Sequence, residues 1–331
     1  MKRLFFVIIS WVISTGCLYA QLETTEVEIT DGLEGKAQLK ASIENNLSNF
    51  LVACNSAVMN GSKPNVKKEL TADAQKLLNE MWKTSPMSCP VSKIEEICLQ
   101  TSTGYQIRNV PVVMLEADEE EQDQELVFTF TPTGLIDGIS ISIDENKYKE
   151  IMDEHESVED LYRRQVIVDF VENYRTSYNR KDLKYIESVF SDNALIITGK
   201  VIREKPKSDY ALQSLSRERI VYQKRSKKEY VENLKRVFAG NKYINVQFDD
   251  VEVIQHPKLT DIYGVTLKQE WNSDRYRDVG FVFLMIDFQD ELNPLIQVRT
   301  WQPEKLEGRV LTRDEVFSLG DFDIVRSLVN D

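Results

Sequence analysis

The stretch LIQVRTW at 295–301 carries a charged and an aromatic residue two positions apart. Arg299 and Trp301 point to the same side of an extended strand, because successive side chains alternate between its faces. A guanidinium beside an indole can clamp an anionic or planar ligand through paired hydrogen bonds and stacking. The same spacing is also typical of an arginine paired with a carboxylate and a tryptophan packed at a sheet edge. Arg299 and Trp301 are therefore ligand-binding candidates with a structural alternative.

Acid–base chemistry has few candidates in this chain. The two histidines, His155 and His256, lie in polar segments where surface positions are expected. Asp192, in FSDNA, follows a short predicted helix, and it can serve either a pocket or a turn. Tyr174 lies on the apolar face of a predicted helix. Asp192, Tyr174 and Arg299 are weak catalytic candidates, so the sequence favours a protein without a catalytic set, without a cofactor and without a bound metal.

The segment DRYRDVGFVFLMIDF at 274–288 contains a strand that is apolar on both faces. Phe281, Phe283 and Met285 share one face, and Val282 and Leu284 share the other. A strand of this kind must be covered on both sides. Helices can cover one face, and the other face needs a second layer, a curl of the sheet around a pocket, or a partner.

The same order of elements occurs twice along the chain. The first half has helical spacing over 39–59 and 70–82, followed by period-two alternation. The second half has helical patterns over 163–179, 183–190 and 226–238, followed by four predicted strands. Helices followed by hairpin-linked strands are typical of the α+β class. The expected fold is a pair of tandem α+β units with helices packed on an antiparallel sheet.

Three stretches of the second half carry a family resemblance: VDFVENYRTSYNRKDLKYIESVFSDNALI (168–196), YGVTLKQEWNSDRYRDVGFVFLMIDF (263–288) and NPLIQVRTWQP (293–303). Together they resemble the nuclear transport factor 2-like superfamily over about residues 160–305. That superfamily includes SnoaL-like polyketide cyclases, ketosteroid isomerases and binding modules without activity. The last two stretches look like secreted members typical of Bacteroidota.

The resemblance implies a curved sheet that closes into a cone against the long first helix. The residues that face the inside of the cone then decide whether it holds a ligand. On this interpretation Phe281, Phe283 and Met285 line the cone together with Arg299 and Trp301. The N-terminal half fits the same fold by element order alone.

The predicted domain limits follow from these patterns. We expect a signal peptide at 1–20, an N-terminal α+β domain at 36–144, a polar linker at 145–160 and a nuclear transport factor 2-like domain at 161–305. The remaining residues, 306–331, combine a capping pair with an apolar run, which is typical of a tail that docks on the domain.

The first residues predict an exported protein. Lys2 and Arg3 precede the apolar stretch LFFVIISWVI, and Ala20 offers a cleavage point before Gln21. Cys17 offers a less favoured alternative, the acylated cysteine of an outer-membrane lipoprotein. No later segment has the length and hydropathy of a transmembrane helix. We therefore expect a protein of the periplasm or the extracellular space.

The composition narrows the choice of partners. The formal net charge is −13, which disfavours nucleic acid because affinity for it depends on neutralised phosphates. Cys89 and Cys98 are close enough in sequence to close a short disulfide loop in an oxidising compartment, and their spacing matches no zinc pattern.

The expected function is a secreted, non-catalytic binding or scaffold protein of the bacterial envelope. Its partner is a protein or a small molecule that the sequence does not identify, and two copies could associate through the sheet. The alternative is a small-molecule enzyme or ligand carrier of the SnoaL-like type, with a hydrophobic cone as its pocket.

Overall fold

The computed structural model describes residues 24–101, 103–115, 122–203, 218–322 and 324. The predicted signal peptide and Cys17 lie outside these residues. The chain forms two compact units, which divide between Glu145 and Asn146. Each unit packs helices on a largely antiparallel sheet, so the predicted α+β class is confirmed.

The N-terminal unit contains two helices and seven strands: β1 (Glu26–Asp31), α1 (Ala37–Met59), α2 (Ala72–Thr84), β2 (Met87–Ser88), β3 (Lys93–Ile97), β4 (Leu99–Gln100), β5 (Tyr105–Met114), β6 (Asp123–Phe130) and β7 (Ile136–Ile141). Strands β5, β6 and β7 form an antiparallel meander, extended by β2 and β4. Strand β1 pairs in parallel with β3, so this unit begins before the expected residue 36.

The core of the N-terminal unit lies between α1 and the meander. The rings of Phe50 on α1 and Phe128 on β6 meet edge to face, with centroids 5.3 Å apart. Such aromatic pairs add to the free energy gained by burying apolar area. The predicted helical stripe on 39–59 is therefore the face that holds α1 on the sheet.

Cys89 and Cys98, which the sequence left as a possible disulfide, are both free thiols in the structure, as is Cys54, and all three are buried. The backbone amides of the two cysteines are hydrogen-bonded to different parts of the unit. The amide N–H of Cys89 donates to Oδ1 of Asn55 on α1 at 2.7 Å. The amide N–H of Cys98 donates to the carbonyl oxygen of Asp31 at 3.0 Å. Burial raises the pKa of the Cys98 thiol to about 11, which disfavours the reactive thiolate.

The described residues of the C-terminal unit form four α-helices and eight strands: α3 (Glu145–Asp153), α4 (Val158–Asn179), α5 (Leu183–Ser188), β8 (Phe190–Arg203), β9 (Glu218–Arg225), α6 (Lys227–Gly240), β10 (Ile244–Gln255), β11 (Ile262–Ser273), β12 (Arg277–Asp287), β13 (Leu295–Pro303), β14 (Lys305–Leu306) and β15 (Arg309–Val310). Two short 3-10 helices follow at Arg313–Glu315 and Leu319–Asp321. Six strands form one sheet in the order β10-β11-β12-β13-β8-β9. Only the β13–β8 pair in this sheet is parallel.

Irregular positions along the strands curl this sheet. The register between β10 and β11 shifts between Asp249 and Glu252, where Asp250 has a φ of 50°. A second shift falls between Met285 and Ile286 in the β12–β13 pair. Bulges of this kind bend a strand and increase its twist. The predicted curvature of the sheet is confirmed.

Residues 145–160, expected as a polar helical linker, fold largely as helix, and the residues from Asn146 onward belong to the C-terminal unit. Asp160 is buried near the start of α4 and accepts a hydrogen bond from Tyr263 Oη on β11 at 2.7 Å. Asp160 also forms an ion pair with Arg164 at 3.1 Å. The polar sequence therefore reflects buried, paired charges on α4 as well as a solvated surface.

Strand β12 is covered on both faces. Val282 and Leu284 face the helices and are fully buried. On the outer face, the C-terminal tail lies over Phe283 and Met285 through Phe317, Leu319, Phe322 and Ile324. The rings of Phe283 and Phe322 stack with centroids 5.5 Å apart. The predicted tail thus supplies the second layer that the apolar strand requires.

Gly264 on β11 leaves the space in which Leu319 of the tail packs. A Cβ atom there would lie 2.6 Å from Cγ of Leu319, closer than real side chains approach. Association of two copies through the sheet stays a prediction, and any such contact would have to accommodate the tail. Among the described residues, no helix is long and apolar enough to span a membrane.

Candidate ligand-binding site in the C-terminal unit

The register of the sheet decides which residues face the helices. Arg299 on β13 pairs with Leu284, and Trp301 pairs with Val282. Paired residues on adjacent strands point to the same face. Arg299 and Trp301 therefore share the inner face, as their spacing predicts, together with Val282 and Leu284.

Phe283 and Met285 lie on the opposite face from Arg299. Phe283 pairs with Thr300 and Met285 with Val298, beneath the tail. Phe281 pairs with Gln302 and has the same outward direction. The expectation that these three side chains line the cone with Arg299 is therefore wrong. A strand that is apolar on both faces gives no indication of which face is inner.

Arg299 is 4% exposed and has no carboxylate partner in the described part of the chain. Its Nε–H donates to Tyr174 Oη at 3.2 Å. Its guanidinium carbon lies 5.1 Å from the centroid of the Tyr230 ring, a cation–π geometry. An arginine stays protonated in proteins, so a full positive charge is held inside the unit. Its two terminal nitrogens make no hydrogen bond to the described residues.

Three tyrosine hydroxyls form a chain beside this charge. Tyr174 and Tyr178 are one helical turn apart on α4, and their Oη atoms are 2.6 Å apart. The Oη of Tyr178 in turn is hydrogen-bonded to the Oη of Tyr230 on α6. The Ser226–Glu229 capping box fixes the start of α6 at Lys227, three residues before Tyr230. The helical spacing on α4, the start of α6 and the register of β13 thus position the cluster.

The tyrosines provide no counter-charge for Arg299. Burial, together with the neighbouring Tyr230, raises the pKa of the Tyr174 hydroxyl, although Arg299 acts in the opposite direction. Burial likewise raises the pKa of Tyr178 well above its ordinary value. Both hydroxyls are therefore neutral near pH 7, and the site has a net positive charge.

The hydroxyl chain accepts a hydrogen bond from the guanidinium at one end. A guanidinium carries only donors, so Tyr174 accepts from Arg299. In the Tyr174–Tyr178 and Tyr178–Tyr230 pairs, either hydroxyl can be the donor. Arg299 therefore keeps unused donors at its two terminal nitrogens, which make no hydrogen bond to a described residue.

Two more polar residues lie on the inner face of the sheet. Gln269 on β11 pairs with Phe248 and Gly280 and is 6% exposed. Asp278 pairs with Trp271 at the start of β12. Burial raises the pKa of the Asp278 carboxyl, even though Tyr276 Oη donates a hydrogen bond to it.

Asp192 lies away from this cluster. Its side chain is 95% exposed and forms an ion pair with Lys227 at 2.9 Å. That ion pair lowers the pKa of the Asp192 carboxyl, first through the hydrogen bond and then through the charge of Lys227. The structure thus joins Tyr174 to Arg299 but leaves Asp192 at the surface, so Asp192 is unsuited to a pocket role.

Sequence analysis missed Tyr230, Gln269 and Asp278 as site residues. Tyr230 is part of the apolar stripe of α6, where a buried packing role is expected. The alternation Leu267, Gln269, Trp271 places a polar residue on an inward face, which was an available signal. Among the described residues, no group of three His, Cys, Asp or Glu side chains could hold a metal ion.

No protein-family model matches the sequence, and no curated protein matches it. Among solved structures, the chain is similar to Bd1075 of Bdellovibrio bacteriovorus, with 13% identity over 63% of this chain and 75% of that chain and a TM-score of 0.33. It is similar to an NTF2-like protein from Cytophaga hutchinsonii, with 14% identity over 43% and 98% of the two chains and a TM-score of 0.30. It is also similar to a naphthalene 1,2-dioxygenase with indole bound, with 8% identity over 51% and 93% and a TM-score of 0.34.

The solved structures with similarity to this chain thus include NTF2-like proteins, at low identity and over part of the chain. At these identities and TM-scores, the similarities carry no argument about function. The residues of the inner face provide the evidence about function instead.

Proposed function

We propose that the C-terminal unit binds a small molecule through an anionic group, a carboxylate in the first instance, that pairs with Arg299. The observation that carries this proposal is a buried guanidinium without a carboxylate partner among the described residues. Burying an unpaired charge destabilises a fold, so proteins pair such charges or use them.

The arrangement of donors matches a carboxylate. Both terminal nitrogens of Arg299 lack hydrogen-bond acceptors among the described residues. A carboxylate offers two oxygens with several lone pairs and commonly pairs with a guanidinium through two parallel bonds. One anionic group can therefore satisfy the donors that the protein leaves unpaired.

Titration of the purified protein with benzoate, 3-phenylpropanoate and octanoate tests this proposal by calorimetry. We expect binding of at least one probe, and a loss of affinity of about 10- to 100-fold in Arg299→Met, because hydrogen bonds to a charged group are lost. Arg299→Lys keeps the charge but loses the planar fork, so we expect an intermediate affinity.

Arg236→Met is the matched control, because Arg236 is exposed on α6 and bonds only to neighbours on that helix. We expect it to bind the probes as the wild type does. Equal affinity of the wild type and Arg299→Met, or no binding of any carboxylate, contradicts the proposal.

An acid–base enzyme is a second candidate, and Asp278 is the observation that favours it. Its carboxyl is half-buried on the inner face, and burial raises its pKa, which is the direction expected of a carboxyl that acts as a general acid or base. Incubation of the probes with wild type and Asp278→Asn, followed by mass spectrometry, tests for turnover. A chemical change that the wild type produces and Asp278→Asn does not would support an enzyme.

We also propose that the protein is exported, on the basis of Lys2, Arg3 and the apolar run before Ala20. Expression of the full chain in a Gram-negative host, followed by mass spectrometry of the product, tests this proposal. A mature chain that starts at Gln21 supports secretion, and a diacylated Cys17 supports the lipoprotein alternative. An uncleaved chain in the cytoplasm contradicts both.

A further inference from the structure

Gln269 is a second polar side chain on the inner face that makes no hydrogen bond to a described residue. The residue is 6% exposed, and its amide atoms are not fully enclosed. A buried side-chain amide normally has at least one hydrogen-bond partner. The proposed function, which depends on Arg299, leaves this amide unexplained.

Gln269 and Arg299 lie on the inner face of the sheet, on strands β11 and β13. Gln269 lies beside Phe248 in the β10–β11 register, and the Phe248 ring centroid is 6.2 Å from that of Tyr174. The Tyr174 hydroxyl accepts the hydrogen bond of Arg299. Tyr174 is therefore next to Arg299 and next to the strand neighbour of Gln269, and the two polar groups lie at different levels of the same face.

The surface between them is apolar and partly aromatic. Leu267 and Val282 pair with each other on the inner face, between the levels of Gln269 and Arg299. Trp301 lies over Gly280, the direct partner of Gln269, because a Cβ atom at Gly280 would be 2.8 Å from two carbons of the indole ring. This indole provides an aromatic surface for an apolar or planar body.

We propose that Gln269 is a specificity-determining residue that binds a neutral polar group at the end of the ligand remote from its carboxylate. The ligand class is then a carboxylic acid with an apolar or aromatic body and a distal hydroxyl or carbonyl group. This inference rests on the proposed function, because Arg299 holds the carboxylate. An amide can both donate to and accept from a hydroxyl, so the two groups satisfy each other.

Matched pairs of probes test this inference. Each pair shares a body and differs by the distal hydroxyl: benzoate and 4-hydroxybenzoate, 3-phenylpropanoate and 3-(4-hydroxyphenyl)propanoate, and octanoate and 8-hydroxyoctanoate. The affinities of wild type, Gln269→Leu and Gln269→Met are measured by calorimetry. Gln247→Leu is the control, because Gln247 pairs with Glu270 and points to the outer face of the adjacent strand β10.

We expect wild type to prefer the hydroxylated member of at least one pair by about 3- to 10-fold, the contribution of one neutral hydrogen bond. Gln269→Leu and Gln269→Met lose this preference but keep the affinity for the plain member. Gln247→Leu keeps both. The two Gln269 variants guard against a folding defect in either one, because they differ in shape.

The outcomes separate the inference from the proposed function. Carboxylate binding that depends on Arg299, without a preference in any pair or with a preference that survives both Gln269 variants, overturns the inference alone. No binding of any of the six probes to the wild type overturns the proposed function and this inference with it.

Discussion

The guanidinium carbon of Arg299 lies 5.1 Å from the centroid of the Tyr230 ring, and the hydroxyl of the same tyrosine ends a chain that begins at the Arg299 Nε–H. One residue therefore contacts the buried charge with its ring and ends the hydrogen-bonded chain with its hydroxyl. A cation–π contact of this kind contributes about 2 kcal/mol when it is desolvated, less than the cost of burying a charge without an anion.

Arg299→Met is expected to stabilise the ligand-free protein by about 1–3 kcal/mol, because an apolar chain of similar size replaces an uncompensated charge. Urea denaturation at pH 7 measures the free energy of unfolding. The combination of higher stability with weaker probe binding is typical of a functional residue that strains the fold.

Arg164→Met is the contrasting control for that prediction. Arg164 is equally buried but pairs with the buried Asp160 at 3.1 Å. Its removal leaves a carboxylate without this partner, so we expect a loss of about 3–5 kcal/mol. A similar destabilisation by Arg299→Met would contradict the view that Arg299 lacks compensation.

Tyr178→Phe is expected to destabilise the protein by about 1–3 kcal/mol. The change keeps the ring, which meets Trp271 edge to face at 5.9 Å, but removes the central hydroxyl of the chain. Tyr174 and Tyr230 then each lose a hydrogen-bond partner inside the core, and a buried polar group that loses its partner carries a desolvation cost. Thermal and urea unfolding measure the effect.

Tyr162→Phe serves as the control for the hydroxyl deletion, since Tyr162 lies on the same helix and is 37% exposed. We expect a change within about 0.5 kcal/mol, as for most surface substitutions. Equal effects of the two deletions would indicate that the tyrosine chain contributes nothing specific.

Phe322→Ala is expected to loosen the tail from the outer face of the sheet. The ring is stacked on Phe283 and also contacts Phe317 at 5.7 Å between centroids. Because the side chain is half-buried, we expect a loss of about 1–3 kcal/mol, below that of a fully buried phenylalanine. Hydrogen exchange at residues 317–322 should increase. Leu292→Ala, at an 85% exposed position, should change neither quantity.

Glu315 is expected to make the tail sensitive to acid. The hydrogen bond from Arg309, followed by that from the amide of Thr312, lowers the pKa of the Glu315 carboxyl to about 2. A carboxyl with a lowered pKa in the folded protein stabilises the fold above its ordinary pKa of 4.5, and this contribution disappears as the pH falls towards 2.

Denaturation of wild type and Glu315→Gln between pH 6 and pH 2 measures this contribution. The stability difference between the two proteins should be constant above pH 5 and should shrink as the pH approaches 2. A difference that does not depend on pH would show that the carboxylate charge has no role in docking the tail.

The amino-acid sequence by itself determined the local features of this protein, which are its helices and the two faces of its strands. Helical spacing predicted α1, α4 and α6, because an apolar stripe depends on residues within a few positions of one another. The two-residue alternation of a strand placed Arg299 and Trp301 on one face, because this alternation also depends only on neighbouring positions. The apolar character of 279–288 required two covering layers, and the helices and the tail provide them.

Only the tertiary structure decided which of those faces lies inside. Phe283 and Leu284 are both apolar, and only the pairing of β12 with β13, together with the tail, places Phe283 outside and Leu284 beside Arg299. Arg299 meets Tyr174 across 125 positions of the chain. Alternation along one strand defines two faces but does not say which of them is the inner face. Long-range packing decides that, and no local pattern in the sequence contains this information.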